Sequence, residues 1–226
     1  AAPTPHSCYT MSPQLLSASA ASGLSSGFLS YHSQESQEEE DLIEKGCGAM
    51  YENRKRAGMS TPPVTGESSL KYFIDRLAVA KPAPYEEHVL LVHNVCLQQS
   101  DIDAVKEVMA NPFFAICPLS HIFIHNALPP VELMRENGLV IALGTDSLSS
   151  NDDLDMVKEL VCLHEAFPDV PMGEMIGWAS LNGARFLKKE ALMGSIAPGK
   201  VPGLVHITDV DEYGYVTSSS RSKRII

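Results

Sequence analysis

The chain has 226 residues, 44% of them hydrophobic and 20% charged, with a net charge of −11. That balance belongs to a globular protein with a real core, enough for one large domain or one and a half small ones. The acidic surplus argues against a nucleic-acid partner, and the longest apolar stretch, 138–143, is far too short to span a bilayer. Residues 1–10 carry neither a basic n-region nor an apolar h-region, so no signal peptide is read there. The charge does not exclude a small nucleobase or nucleoside as substrate. Five cysteines, Cys8, Cys47, Cys96, Cys117 and Cys162, are an odd number without CxxC spacing. They read as reduced thiols of a cytoplasmic protein, and as neither a disulfide framework nor a cysteine zinc site.

In chain order, Ser12-Pro13 opens a helix as N-cap and first helical residue, closing near Gly23. A short apolar run at 27–31 follows and ends at His32. Residues 38–81 break the rhythm: they are rich in Gly and Pro and read as an excursion or lid-like loop with short helices. Within them Glu38-Glu39-Glu40-Asp41 reads as a solvated, acidic helix start. A strand is predicted at 88–94, a helix at 100–110, and a strand at 113–117 bounded by Pro112 and Pro118. A helix opens at Pro129-Pro130 and closes at Gly138, followed by a strand at 139–143. Asn151-Asp152-Asp153 is expected to cap a helix over 154–167, and one further helix is expected over 172–187. Continuous apolar runs suit strands buried on both faces, and strand alternating with helix predicts an α/β fold with a parallel sheet. About four βα units are visible, where a full (β/α)₈ barrel has eight. From Gly194 the chain turns Gly/Pro-rich and then strand-like at 204–207, which suggests a small β appendage.

Polar residues collect at the C-terminal tips of the strands: His32 after the first, His93 at the end of the second, Asp146 three residues past the fourth. Ligands bind at that edge of parallel α/β folds. A lone histidine there is most often structural, and an Asp after Gly-Thr is often a helix cap. The combination His…His…Asp on successive tips weighs against those readings, since neutral imidazole and carboxylate are the usual ligands of catalytic zinc, which keeps one position open for water.

Five segments, Pro5-His6-Ser-Cys-Tyr9-Thr, His32-Ser-Gln-Glu35-Ser, Leu91-Val-His93-Asn, Cys117-Pro-Leu-Ser120 and Ala142-Leu-Gly-Thr-Asp146-Ser, carry a resemblance in order and spacing. Together they resemble motifs of the amidohydrolase superfamily, in the branch of methylthioadenosine/S-adenosylhomocysteine deaminases, guanine deaminases and chlorohydrolases. Leu181-Asn-Gly-Ala184 and Gly194-Ser-Ile-Ala-Pro-Gly-Lys200 resemble that branch's post-barrel helix and its return into a β-sandwich. The resemblance covers nearly the whole chain. It implies the C-terminal part of a TIM-type barrel, strands about 4 to 8, over residues 1–193, with part of a β-sandwich over 194–226.

The resemblance also implies chemistry. His32 and Asp146 would ligate one divalent metal ion, zinc being expected and iron the alternative. Glu35 would contact the substrate and shuttle a proton, His93 would hydrogen-bond the attacked group, and His6 would contact the substrate. A bound ion lowers the pKa of its water toward about 7, and Asp146 could take that water's proton. The implied reaction is hydrolytic deamination of an aminated heterocycle or nucleoside by metal-activated hydroxide. Opening of a cyclic amide, dehalogenation, and a non-catalytic relative without metal are the competing readings. The family's first-strand His-x-His, which supplies two more metal ligands, is not among these residues. Either the chain is the C-terminal half of something longer, or it is not a metalloenzyme. His121 stands where the family usually has Asn, and loop packing is its expected role. His88, His125, His164 and His206 read as surface or packing residues, and Asn151 as a helix cap. A homodimer is the candidate assembly.

Overall fold

The computed structural model describes residues 3–226. The chain divides into two compact units, Ala1–Phe114 with Pro129–Leu139, and Ala115–Leu128 with Val140–Ile226.

In the first unit, α1 spans Pro13–Ser26. Ser12 accepts the Leu15 N–H and Pro13 occupies the first turn, as the sequence predicted. The helix ends at Gly27, in the left-handed conformation at φ 83°, and not at Gly23. Gly23 has another purpose: a Cβ there would stand 2.5 Å from Leu29 Cδ1, so α1 packs its backbone directly on the next strand. That strand, β1, covers Phe28–Ser33 and pairs in parallel with β2, Tyr85–His93, with Phe28 opposite His88 and Ser33 opposite His93. Leu29, Tyr31 and Ser33 are buried and alternate with half-buried Phe28, Ser30 and His32.

Between the two strands the expected lid-like excursion is largely helical. It contains α2 (Gln37–Glu40), a π-helical turn (Asp41–Lys45), α3 (Gly48–Arg56) and α4 (Ser69–Ala80). Helix α4 is the crossover of an ordinary βαβ unit. Ser68 caps it, Leu70, Phe73 and Leu77 are buried, and Phe73 stacks on Tyr31 of β1 at 3.8 Å. The acidic run starts a helix as expected but is solvated only in part: Glu38 is exposed, whereas Glu39 and Glu40 are buried. Helix α5, Gln99–Val108, opens with a reciprocal Gln98–Asp101 capping box. Strand β3, Met109–Ile116, begins four residues earlier than the Asn111-Pro112 pair suggested. Asn111 Nδ2 donates to the Glu86 carbonyl of β2 at 2.9 Å, a cross-strand bond made beside a proline that has no N–H to give. Helix α7 covers Val131–Glu136.

In the second unit, α6 (Pro118–His125) follows β3 at once, a helix the sequence reading did not anticipate. Strand β4 is Val140–Leu143, and beyond it the Gly144 N–H donates to Ile116 O. The order β1-β2-β3-β4 in the parallel sheet follows the chain. Helix α8 runs Met156–Ala166 and is capped by Asp155, whose side chain accepts the Val157 N–H. The single helix expected over 172–187 is broken at Ser180 into α9 (Met172–Ala179) and α10 (Leu181–Phe186). An antiparallel pair, β5 (Val205–Thr208) and β6 (Arg221–Arg224), ends the chain. Among the described residues no helix is long and apolar enough to cross a membrane.

Candidate functional site

The tips of β1 and β2 gather the first group of polar side chains. The segment ahead of α1 runs along β1. Thr4 Oγ1 donates to Ser30 O at 2.7 Å and accepts the Ser30 N–H at 3.0 Å, and the His32 N–H donates to His6 O at 2.9 Å. This backbone contact sets His6 beside His32, with ring centroids 4.7 Å apart. Parallel register extends the group to β2, where His93 lies opposite Ser33 and its ring is 5.2 Å from that of His32. The His32 imidazole therefore has the rings of both His6 and His93 as neighbours.

The turn after β1 brings in a carboxylate. Glu35 Oε1 lies 3.6 Å from His93 Nε2, and the Tyr9 hydroxyl donates to Glu35 Oε2 at 3.4 Å. Burial, and then the nearby Glu39 and Glu35, push the Tyr9 hydroxyl well above its ordinary pKa, so it stays a donor. Three non-glycine residues at these tips adopt left-handed backbone, Gln34 at φ 55°, His93 at φ 77° and Asn94 at φ 54°. Such residues cost roughly 1–2 kcal/mol each and concentrate where side chains must be aimed.

The second unit holds Asp146, three residues past β4 and also left-handed, at φ 56°. Buried Ser120 on α6 and buried Ser150 both donate to its Oδ2, at 2.8 and 2.9 Å. The loop carrying Asp146 is pinned from behind. Asn151 Nδ2 donates to Thr145 O at 2.9 Å and to Glu159 Oε1 at 2.7 Å, and Glu159 Oε2 accepts the Leu119 N–H at 2.9 Å. Asn151 is thus a brace between the Asp146 loop and α8, not the helix cap expected of it. Burial raises the pKa of Glu159. His121 is fully buried on the first turn of α6.

Of the residues singled out from sequence, His6, His32, Glu35 and His93 come together within the first unit. Asp146 has its own hydrogen-bonded setting in the second. Sequence reasoning gave no role to Tyr9, Ser120 or Ser150, and read Glu39 only as part of a solvated helix start. Tyr9 and Ser120 were spelled within the quoted motifs, three residues after His6 and three after Cys117. Ser150 and Glu39 had no signal beyond composition.

The amidohydrolase family profile matches residues 1–223. The chain belongs to the amidohydrolase family. An amidohydrolase relative, the 5-methylthioadenosine/S-adenosylhomocysteine deaminase of Caldanaerobacter subterraneus subsp. tengcongensis, is 32% identical over 130 residues, 54% of this chain and 30% of that protein. The 5'-deoxyadenosine deaminase of Methanothermobacter thermautotrophicus is 29% identical over 208 residues, 89% of this chain and 42% of that protein. Among solved amidohydrolase structures, the aminofutalosine deaminase of Helicobacter pylori in complex with methylthio-coformycin superposes with a TM-score of 0.73 at 25% identity, over 88% of this chain and 48% of that one. An adenosine deaminase from Xanthomonas campestris with bound zinc shows the same fold, TM-score 0.63 at 21% identity, over 90% and 42%. The chain spans less than half the length of each of these relatives. The expectation of an α/β, barrel-type fold with a parallel sheet is met, and the deaminase branch named from the motifs is where these relatives fall.

Proposed function

We propose that the full-length protein is a metal-dependent hydrolase that deaminates an aminated purine-type heterocycle or its nucleoside. The observation that carries this reading is the cluster of His6 and His93 about His32, with Glu35 set against His93 and held by Tyr9. The site chemistry fits a divalent ion, typical of this family. Imidazole and carboxylate suit zinc. His32 Nδ1 lies 3.2 Å from the His6 carbonyl oxygen, a bond that fixes the tautomer and leaves Nε2 as the ligating nitrogen. His32 and Asp146 would hold the ion, zinc with iron as alternative. When bound, it would supply water of lowered pKa at neutral pH.

The chain's own residues would do the rest. Asp146 accepts the proton that the attacking water gives up. Glu35 donates a proton to the ring nitrogen beside the attacked carbon. His93 hydrogen-bonds the group on which charge develops, and His6 contacts the sugar or its substituent. The C–N bond then breaks, and the amine leaves as ammonia with a proton returned by the carboxylates. Support for a nucleoside comes from the relatives, whose names record methylthioadenosine, S-adenosylhomocysteine and deoxyadenosine. The same reading takes the cytoplasm as the protein's location, a reducing compartment that suits five free thiols, and a homodimer as the assembly. It also assigns residues 1–193 to the barrel and 194–226 to part of a β-sandwich, of which the β5–β6 pair is a piece.

The test is ammonia release by metal-loaded full-length protein from adenosine, 5'-deoxyadenosine, methylthioadenosine, guanine and cytosine. Release from at least one purine, abolished by a chelator and restored by zinc or iron, is expected. Metal-loaded protein with no activity on the whole panel would sink the deaminase reading.

A further inference from the structure

Glu39 was expected at a solvated helix start, and instead it is 1% exposed. It occupies the third position of α2, whose N-cap Ser36 accepts the Glu39 N–H at 3.2 Å. Ser36-x-x-Glu39 spells a capping box, in which the glutamate would return to the N–H of the cap residue itself. The bonds run elsewhere. Glu39 Oε1 accepts the Gln34 N–H at 3.0 Å, and Oε2 accepts the Glu35 N–H at 3.1 Å. The Cys8 thiol donates to Oε1 at 3.5 Å, and Ser69 at the start of α4 also reaches the Gln34 N–H, at 3.1 Å. One carboxylate thus ties the segment of His6 and Tyr9 to the turn after β1, and Ser69 of the crossover helix shares the Gln34 N–H with it.

The turn it grips is the strained one, with Gln34 left-handed at φ 55°. Gln34 is itself buried and tied by Nε2 to Asp101 Oδ2 at 3.0 Å. A strained turn persists only when its surroundings over-determine it. Burial also raises the pKa of Glu39, to about 7. A helix that needed only a cap would have no reason to bury a carboxylate against two amides upstream of it.

We infer that Glu39 is a positioning residue, whose buried carboxylate holds the Gln34 and Glu35 amides and so fixes the Glu35 carboxyl between His93 and Tyr9. The inference rests on the proposed role of Glu35 as proton shuttle. Glu39 touches no substrate in this account and acts through Glu35.

The test is a double-mutant cycle on the metal-loaded full-length enzyme, with Glu39→Gln, Glu35→Gln and the pair. Gln at 39 replaces one accepting oxygen with an NH₂ that cannot accept an amide. Glu39→Gln is expected to lower kcat by about 10–100-fold, the order of loss from a misplacement of about 1 Å. KM should move less than about threefold and metal content should stay unchanged. In the Glu35→Gln background the same change should cost less than about threefold, because residues acting as one unit are not additive. Hydrogen exchange at the Gln34 and Glu35 amides should quicken in Glu39→Gln. An equal loss in both backgrounds, an unchanged kcat, or undiminished protection of both amides overturns the inference. Full activity of Glu35→Gln alone overturns the shuttle reading, and the positioning role falls with it. Should the Gln variant fail to fold, Glu39→Asp, too short to reach both amides, is read by the same criteria.

Discussion

His32 and Glu35 stand three residues apart after one strand, yet the proposed chemistry makes them fail differently. His32→Ala removes a metal ligand, so metal content and activity should fall together. Glu35→Gln keeps the shape and loses the titrating proton. Metal content should hold while turnover drops by about 10²–10⁴-fold, the usual worth of general acid–base help. Metal analysis beside steady-state kinetics on full-length variants checks both, and unchanged turnover in Glu35→Gln would remove it from the mechanism. Glu39 adds a pH signature. Its ordinary value of 4.5 is raised to about 7 in the fold, chiefly by desolvation. Its carboxyl is therefore happier protonated inside than in the unfolded chain. That advantage is complete below about pH 4.5 and is lost as pH rises through about 7, an effect of about 3 kcal/mol. Denaturant melts at about pH 5 and pH 8 should show the decline, and Glu39→Gln should flatten it. That His6, His32, His93 and Glu35 lie near one another was legible in sequence, because the motifs set them on neighbouring segments. Glu39 was not, because a run of acidic residues gives no sign of which one turns inward.

At the level of elements, hydrophobic runs and caps located all four sheet strands and the opening of α1. What they missed has physical causes in particular residues. Gly23 looked like a stop signal because glycine ends helices, but its missing Cβ lets α1 approach Leu29. Pro112 looked like a boundary, but Asn111 makes a side-chain bond to Glu86 next to it and the strand runs through. Asn151 looked like a cap, but Thr145 and Glu159 claim its amide. Gly23→Ala separates the two readings of that glycine. A mid-helix glycine with open space around it would gain up to about 1 kcal/mol from alanine. Here the Cβ would press on buried Leu29 Cδ1 at 2.5 Å and on Phe28 O at 3.2 Å, so a net loss of about 1–2 kcal/mol is expected. A thermal melt decides between them by sign.

At the scale of the whole molecule, the barrel expectation predicts exposed edges. The structure shows how each is partly served. Residues 4–6 hydrogen-bond along β1, and Asn182 Nδ2 donates to Ile141 O of β4 at 2.7 Å. Large apolar side chains such as Phe123 and Val79 are well exposed. The 226-residue chain expressed alone is therefore expected to associate or aggregate and to bind zinc weakly, having two of the proposed ligands. The full-length protein should carry near-stoichiometric metal. Size-exclusion chromatography with metal analysis tests this, and a monomeric, cooperatively melting isolated chain would contradict it.

The Glu39 carboxylate and the amides it holds form a clamp with the Cys8 thiol inside it, fully buried, its pKa raised well above the ordinary value by burial and then by Glu39. Thiolate is the reactive form, so a closed clamp leaves this cysteine inert while exposed Cys47 remains open to attack. Reaction at Cys8 needs the segment of His6 and Tyr9 to lift away from Glu39 first. The buried sulfur thereby serves as a built-in clock: its rate of alkylation counts how often the site comes undone.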